Sequence, residues 1–397
     1  MTFIVNQVVG LIDRGFDVEV FCGPPTQTAV LHEEVLRYSL QDKAHVWPRR
    51  PRAALKHVLR QLPKIRRAGA SLSPLLKAFV RSPTSPGAAA VTAGRAATVL
   101  AEPPYDAVVA HFGQHGNHMQ ILKDLGVSRA PLAVFFHGAD MTRDLYRYGR
   151  STYNHLFEHG DLMLPISDRW RKRLIELGCP EDKICVHRMG VDTSKIEFRK
   201  RVPEGVVRLI SATRLTEKKG LCYALAAVAQ LKSEDLPFHY DIVGDGPLWQ
   251  ELNSQVEQLG LEDSVTLHGW KTQAELFDIQ RRAHICLMPS VTAKNGDEEG
   301  VPVALMEACA GGLAVISTRH SGIPELVTDG VSGYLVPERD TTALRQALQK
   351  LLREPSQIGE FGAAGRSRVE EEFEINALND ELAKRVDALA STSHTQS

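Results

Sequence analysis

The sequence predicts an α/β protein made of two doubly wound parallel-sheet domains that face each other across a cleft. Three observations carry that expectation. At 397 residues the chain exceeds what a single hydrophobic core normally organises. Short apolar runs of strand length alternate with helix-period patterns through both halves, as in repeated βα units. Polar and basic residues break the alternation around Ser194–Pro203, which places a boundary there.

The first half opens with a helical pattern over Thr2–Arg14. Strands are then expected at Asp17–Phe21, Ala107–Ala110, Leu132–Phe136 and Leu162–Ile166, each a short apolar run suited to a buried parallel sheet. In the second half they are expected at Val207–Ala212, His239–Val243, Val265–Leu267, Ile285–Met288 and Ala314–Ser317, with helices such as Leu221–Leu231 and Val303–Ala310 between them. This divides the chain into an N-terminal Rossmann-like domain over 1–198, a C-terminal one over 199–374, a helix over 375–390 that packs back, and a disordered tail over 391–397. A Rossmann half normally starts with a strand and a glycine-rich turn. Neither precedes Thr2, so the first strand of the N-terminal domain is expected to be missing.

A hydrophobic content of 43% and a charged content of 24% suit an ordinary globular protein. No apolar run reaches the roughly 18 residues of a membrane-spanning helix, and the first residues lack the basic start of a signal peptide. The six cysteines are scattered without paired spacing, which predicts free thiols in a reducing compartment, the cytoplasm, and no zinc site. The net charge of −1 conceals an asymmetry: from Lys43 to Ala101 there are twelve Lys or Arg and no Asp or Glu. Leu55, Val58, Leu59, Leu62 and Ile65 recur at helical spacing among these cations. A basic amphipathic segment over 43–101 fits the anionic face of a membrane or a lipid-phosphate acceptor. A plain solvated face is the alternative, and nucleic acid ranks last because no aromatic stacking motif accompanies the charge.

The candidate chemistry gathers at strand ends. Glu299-Gly-Val-Pro-Val-Ala-Leu-Met-Glu307 follows the strand Ile285–Met288 and a loop, and enters a helix with Pro302 at its first position. A helix N-terminus at the carboxyl end of a parallel strand binds phosphate, here through the turn that Gly300, Val301 and Pro302 form. Glu299 and Glu307 could each accept from a pair of hydroxyls, one on a sugar and one on a ribose; an acidic solvated loop and an ordinary helix glutamate would look the same. Arg214 and Lys219 follow the first strand of the second half, where two cations can neutralise a diphosphate. Lys218 fits a solvated turn, and Gly244 in the Gly244-Asp-Gly246 turn is a weak signal at the next strand end. His137 and Asp140 sit at the end of Leu132–Phe136, facing the same cleft, with a hydrogen-bonded core histidine as the alternative. His111, His115 and His118 have the spacing of one helix face, but Gly113 and Gly116 argue for a loop that faces an acceptor, and no carboxylate or cysteine nearby supports a metal.

These residues resemble the retaining glycosyltransferases of the GT-B fold in family 4. Glu299 and Glu307 match its EX7E pattern, Arg214 and Lys219 its R-x4-K pair, and His137 its N-domain histidine. The wording at Arg188–Asp192, Gly300–Ala308, His320–Val327 and Thr2–Gly15 is similar to the colanic-acid and exopolysaccharide subgroup, along nearly the whole chain. The resemblance implies that Arg214 and Lys219 hold a donor diphosphate, that Glu307 accepts ribose hydroxyls, that Glu299 contacts the transferred sugar, and that His137 touches it from across the cleft. His111 and Asp140 would lie on the acceptor side. It further implies a metal-independent front-face transfer of a hexosyl residue, in which the leaving diphosphate takes the acceptor's proton. Consistent with that, no general base or carboxylate nucleophile stands out. The expected partners are a nucleotide-sugar donor, UDP-hexose ahead of GDP-mannose, and a lipid-linked glycan at the inner face of the cell membrane.

The sequence departs from that pattern at its start, where the family has a strand and a glycine-bearing loop. The expectation is a misplaced start codon rather than a deletion; a truncated, inactive product is the alternative. Two other readings stand beside the transferase: a sugar-nucleotide epimerase on the same fold, against which the basic segment speaks, and a non-catalytic sugar-nucleotide-binding subunit.

Overall fold

The computed structural model describes residues 2–24, 33–80, 85–234 and 236–394. Eleven strands are present among them. In the first half these are β1 (Val20–Cys22), β2 (Ala44–Val46), β3 (Val108–His111), β4 (Leu132–Phe136) and β5 (Leu162–Pro165). In the second they are β6 (Val207–Ala212), β7 (Phe238–Val243), β8 (Val265–Gly269), β9 (Ile285–Met288), β10 (Ala314–Thr318) and β11 (Gly333–Val336).

The second half forms one six-stranded sheet in the order β11-β10-β9-β6-β7-β8, parallel throughout. Alternation along each strand fills both of its faces. Leu209, Ile285, Leu287 and Ile316 pack into one core while Ile210, Cys286, Met288 and Val315 pack into the other. Burial on both faces explains why β9 and β10 read as unbroken apolar runs.

The first half is two parallel sheets, β1-β2 and β3-β4-β5, which are not hydrogen-bonded to each other. The split falls between β1 and β3, where a Rossmann half carries its opening strand. The helix Thr2–Ile12 is present as read, and it docks on the C-terminal helix Ile375–His394. Arg14 reaches Asp380 at 2.7 Å and the Asn376 carbonyl at 2.8 Å, and a Cβ at Gly10 would lie 2.0 Å from Asn379 Nδ2.

Several expectations need correction. The first strand is displaced to Val20–Cys22, because Asp17 is exposed and joins Lys43 in a surface pair instead of the sheet. β2 and β11 are not among the expected strands: β2 is three residues with a histidine at its centre, and β11 begins at a glycine. The tail expected to be disordered from Ser391 continues the last helix to His394, with Ser391 Oγ donating to the Asp387 carbonyl at 2.9 Å; residues 395–397 lie outside the described residues. So does Arg81 of the basic segment. Beyond β2, the described part of that segment contains the helices Pro51–Arg67, Ser73–Val80 and Pro86–Leu100, the last of which is largely buried beneath the other two.

Candidate functional site

The loops that leave the carboxyl ends of β6, β9 and β10 are knitted together. After β6, residues 213–220 close in a short 3-10 turn that Gly220 ends at φ +65°. A Cβ there would lie 1.9 Å from the Pro289 carbonyl, so glycine is what lets this loop lie against the one after β9. The Val291 N–H donates to the Lys218 carbonyl at 2.9 Å, fixing the register. Gly244, at φ +136°, serves the same purpose one strand over, where a Cβ would meet the Thr213 carbonyl at 1.9 Å.

This stitching sets Lys219 Nζ 3.1 Å and Lys218 Nζ 3.5 Å from Glu299 Oε1. Glu299 is 7% exposed. Burial pushes its carboxyl up, but Lys219 and Lys218 outweigh that and hold it below the usual carboxylate range. Lys218 is therefore not the solvated turn residue expected: it also pairs with Asp297 at 3.2 Å. Arg214 lies on the same loop, exposed, and its side chain has no hydrogen bond or ion pair among the described residues.

Behind Glu299 the chain enters the helix Val303–Ala310. Pro302 is its N-cap rather than its first helical residue, and no side chain caps the turn, so the leading N–H groups are left for solvent or a ligand. Gly300 is where the two halves touch: a Cβ would sit 2.5 Å from Ile166 Cδ1 and 2.8 Å from the His137 carbonyl. Val301 is buried beside it. Glu307 does not join the Glu299 cluster. It lines a cavity of about 110 Å³ with Lys195, Phe277, Gln280 and Arg281; its carboxylate has no hydrogen-bonding partner among the described residues and is pushed by burial to about 7.

Across the cleft, His137 follows β4 and its Nε2 lies 3.1 Å from His111 Nδ1. The rings of Phe3 and Phe112 pack at 4.9 and 4.5 Å from it. Burial, reinforced by His111, drives His137 well below its ordinary range, and burial, reinforced by His115 and His187, takes His111 to about 3, so both are neutral at pH 7. Asp140 does not face an acceptor, and that expectation is corrected. It is fully buried, and its carboxylate accepts the backbone N–H groups of Gly113 at 3.0 Å and of His137 and Gly138 at 2.9 Å. Burial pushes it to about 6 against those three donors. It is the clasp that shapes the His137 turn.

The loop expected at Gly113 and Gly116 is instead the helix Gly113–Asp124. Both glycines are packing devices: a Cβ on Gly113 would lie 2.6 Å from the Phe136 and Tyr153 rings, and one on Gly116 2.7 Å from Val134 Cγ1. His115 is exposed and His118 half-buried on that helix. Among the described residues, the side chains grouped closely enough to share a metal ion are His155, Glu158 and His159, not this triplet.

Sequence reasoning missed His320 and Glu338. His320 Nε2 accepts the Glu299 N–H at 3.0 Å, and its Nδ1 lies 2.6 Å from Glu338 Oε1. A histidine just past the apolar run of β10 was the available signal.

A parallel-sheet pair of domains, with an acidic residue and two lysines at the strand ends of one and a buried histidine at the strand end of the other, is the architecture of a GT-B glycosyltransferase. Residues 192–368 match the family described as glycosyl transferases group 1, and residues 2–190 the glycosyl transferase 4-like domain. The chain belongs to the GT-B glycosyltransferases. It is 39% identical over 395 residues to a protein of Escherichia coli K12 assigned to colanic acid biosynthesis as the glycosyltransferase WcaL, covering 98% of this chain and 96% of that one. It is 37% identical over 396 residues to the amylovoran biosynthesis glycosyltransferase AmsK of Erwinia amylovora, again covering 98% and 96%. Among solved structures, HepE of Anabaena in complex with UDP and glucose superposes with a TM-score of 0.69 at 16% identity, over 98% of this chain and 95% of that chain. A glycosyltransferase of Rickettsia africae gives 0.67 at 15% identity, over 97% and 94%. At those identities the likeness is one of fold.

Proposed function

We propose that this glycosyltransferase moves a hexosyl residue from a nucleotide sugar, UDP-hexose in the first instance, to a lipid-linked exopolysaccharide precursor with retention of anomeric configuration. The observation that carries this reading is the buried Glu299 carboxylate, paired with Lys219 beside an uncapped helix N-terminus. Relatives named for colanic acid and amylovoran biosynthesis support the exopolysaccharide role. A neighbour solved with UDP and glucose supports the donor class.

In this reading Lys219, with Arg214 folded in from solvent, holds the diphosphate, and the N–H groups at Val303 and beyond complete its cradle. These positive groups stabilise the charge on the departing diphosphate, the task a divalent metal performs elsewhere, so turnover is metal-independent. Glu299 accepts hydroxyls of the transferred sugar, Glu307 those of the ribose, and neutral His137 meets the sugar from the opposite wall. The leaving diphosphate takes the acceptor's proton on the face from which it departs.

The acceptor's lipid is met at an anionic membrane surface on the cytoplasmic side. Supporting this, the helix Pro51–Arg67 leaves Leu55 and Leu59 exposed among Arg52, Lys56, Arg60 and Arg67, and the next helix exposes Leu76, Phe79 and Val80. Among the described residues no helix is long and apolar enough to cross a membrane. The deciding experiment titrates UDP, GDP and their hexose conjugates into the purified chain, with and without EDTA, beside Glu307→Ala. Micromolar binding of one nucleotide, weakened in the variant and indifferent to EDTA, is expected; no binding of any would defeat the reading.

A further inference from the structure

The Glu299 peptide is gripped from both sides by the two residues that follow Arg319. Its N–H donates to His320 Nε2 at 3.0 Å, and its carbonyl accepts from Ser321 Oγ at 2.5 Å. A backbone N–H can only donate, so Nε2 is the unprotonated nitrogen of the ring. The ring proton is therefore on Nδ1, which donates to Glu338 Oε1 at 2.6 Å. The other oxygen of Glu338 accepts the Thr292 N–H at 2.8 Å, from the loop that leads to Glu299. The chain thus runs Thr292, Glu338, His320, Glu299, each link with its donor and acceptor fixed. His320 is 1% exposed, so no water can take over from either nitrogen.

We propose that His320 is a positioning residue for transfer: held in one tautomer by Glu338, it fixes the backbone of Glu299 and so the direction in which that carboxylate meets the donor sugar. This rests on the donor-site reading above. The loop from Pro289 to Pro302 needs such an anchor. Among the described residues the Glu299 carboxylate pairs with Lys219 and Lys218, and a ligand diphosphate would compete for those same ammonium groups. The His320 link is to the backbone and survives that exchange. A carboxylate behind a histidine is the usual means of locking ring orientation when the other nitrogen has work to do.

The test compares the full chain with His320→Ala, His320→Gln and Glu338→Ala. Binding of UDP and of GDP is measured by calorimetry, and nucleotide release from UDP-glucose, UDP-galactose and GDP-mannose by a coupled assay. Glu299 faces the sugar rather than the diphosphate, so His320→Ala should keep nucleotide affinity within about 3-fold while turnover falls about 10- to 100-fold, as for other orienting partners. His320→Gln places an amide oxygen where Nε2 was and should recover most of that loss. Combined with Glu299→Gln, His320→Ala should cost nothing further, since both act through one carboxylate. Wild-type turnover in His320→Ala, equal losses of nucleotide binding and turnover, or a fully additive double variant would each overturn the proposal. If His320→Ala does not fold, Glu338→Ala leaves the ring in place but frees its tautomer, and must show the same separation of turnover from binding. Wild-type protein that binds neither UDP nor GDP would instead defeat the donor-site reading and this proposal with it.

Discussion

Lys219 and Glu299 are each other's counterion in this structure, 3.1 Å apart, with the carboxylate almost entirely out of water. In the proposed donor site, a diphosphate at Lys219 would take over that charge, leaving Glu299 to be satisfied by sugar hydroxyls and by Lys218. On that proposal the two halves of a donor molecule depend on opposite partners of one ion pair. Glu299→Gln should free Lys219, so that UDP or GDP alone binds several-fold more tightly, while turnover of the sugar donor drops by about 10² to 10³ for the lost transition-state contact. Lys219→Ala should reverse the pattern, weakening the nucleotide and leaving a buried carboxylate without its nearest partner, at about 3 to 5 kcal/mol of stability. Calorimetry and melting curves on the two variants separate these outcomes. Glu307 invites a pH experiment. Burial raises it to about 7, so it is protonated below that pH and charged above it. If Glu307 holds the ribose as proposed, the ionised form is the better acceptor for both hydroxyls, so nucleotide affinity should climb as pH rises through about 7. Glu307→Gln should lack that component, with the nucleotide's own titration cancelling in the comparison. The linkage for stability runs the other way: a carboxyl raised on folding favours the folded state at low pH and loses that contribution as pH rises toward the folded value.

At the level of elements, the helix Gly113–Asp124 shows how a local signal can be right about a residue and wrong about its purpose. Two glycines within four residues normally weaken a helix, and so they read as a loop. Here they let the helix sit directly on β4, with Val134, Phe136 and Tyr153 occupying the space a Cβ would need. Gly116→Ala should destabilise the chain by about 1 to 3 kcal/mol through overpacking and lower the melting temperature, whereas His115→Ala on the exposed face should leave it unchanged. In the second half β9 and β10 were legible because burial on both faces makes them almost wholly apolar, and β6, β9 and β4 fall where the sequence put them. β2 was not, since Ala44-His45-Val46 carries no apolar run and exists through pairing with β1. The site divides in the same way. Glu299, Lys219 and His137 sit at strand ends, a position that sequence order reveals. His320 acts on the Glu299 backbone from 21 residues away, and Asp140 joins its own turn, at His137 and Gly138, to Gly113, 27 residues back; those longer links no spacing encodes.

For the molecule as a whole, the question is what holds the two halves at the separation the site requires. The halves meet at Gly300, where Ile166 and the His137 carbonyl leave no room for a side chain. Beside that contact, the Glu325 carboxylate crosses from the second half to the first. It accepts the Asp168 and Arg169 N–H groups, both at 3.0 Å, at the start of the helix Asp168–Glu176, and pairs with Arg188 at 3.3 Å. An anion on a helix N-terminus gains from the helix dipole as well as from the hydrogen bonds. Arg169 also reaches Glu298 at 2.6 Å, next to Glu299, but that arginine is exposed and an exposed pair of this kind is worth about 0 to 1 kcal/mol. Closure should therefore depend on Glu325 far more than on Arg169. Glu325→Ala removes both caps and a partner of Arg188, which should cost about 1 to 3 kcal/mol of interdomain contact. The closed form would then be a smaller share of the population, and because lost closure taxes binding and assembly of the site together, KM should rise and kcat fall in the same variant. Small-angle scattering should show a larger radius of gyration for Glu325→Ala than for wild type, and added nucleotide sugar should narrow the difference. Arg169→Ala is the control expected to change neither. A Glu325→Ala protein with wild-type dimensions and kinetics would mean that the contact at Gly300, and not the charged crossing beside it, keeps the halves together.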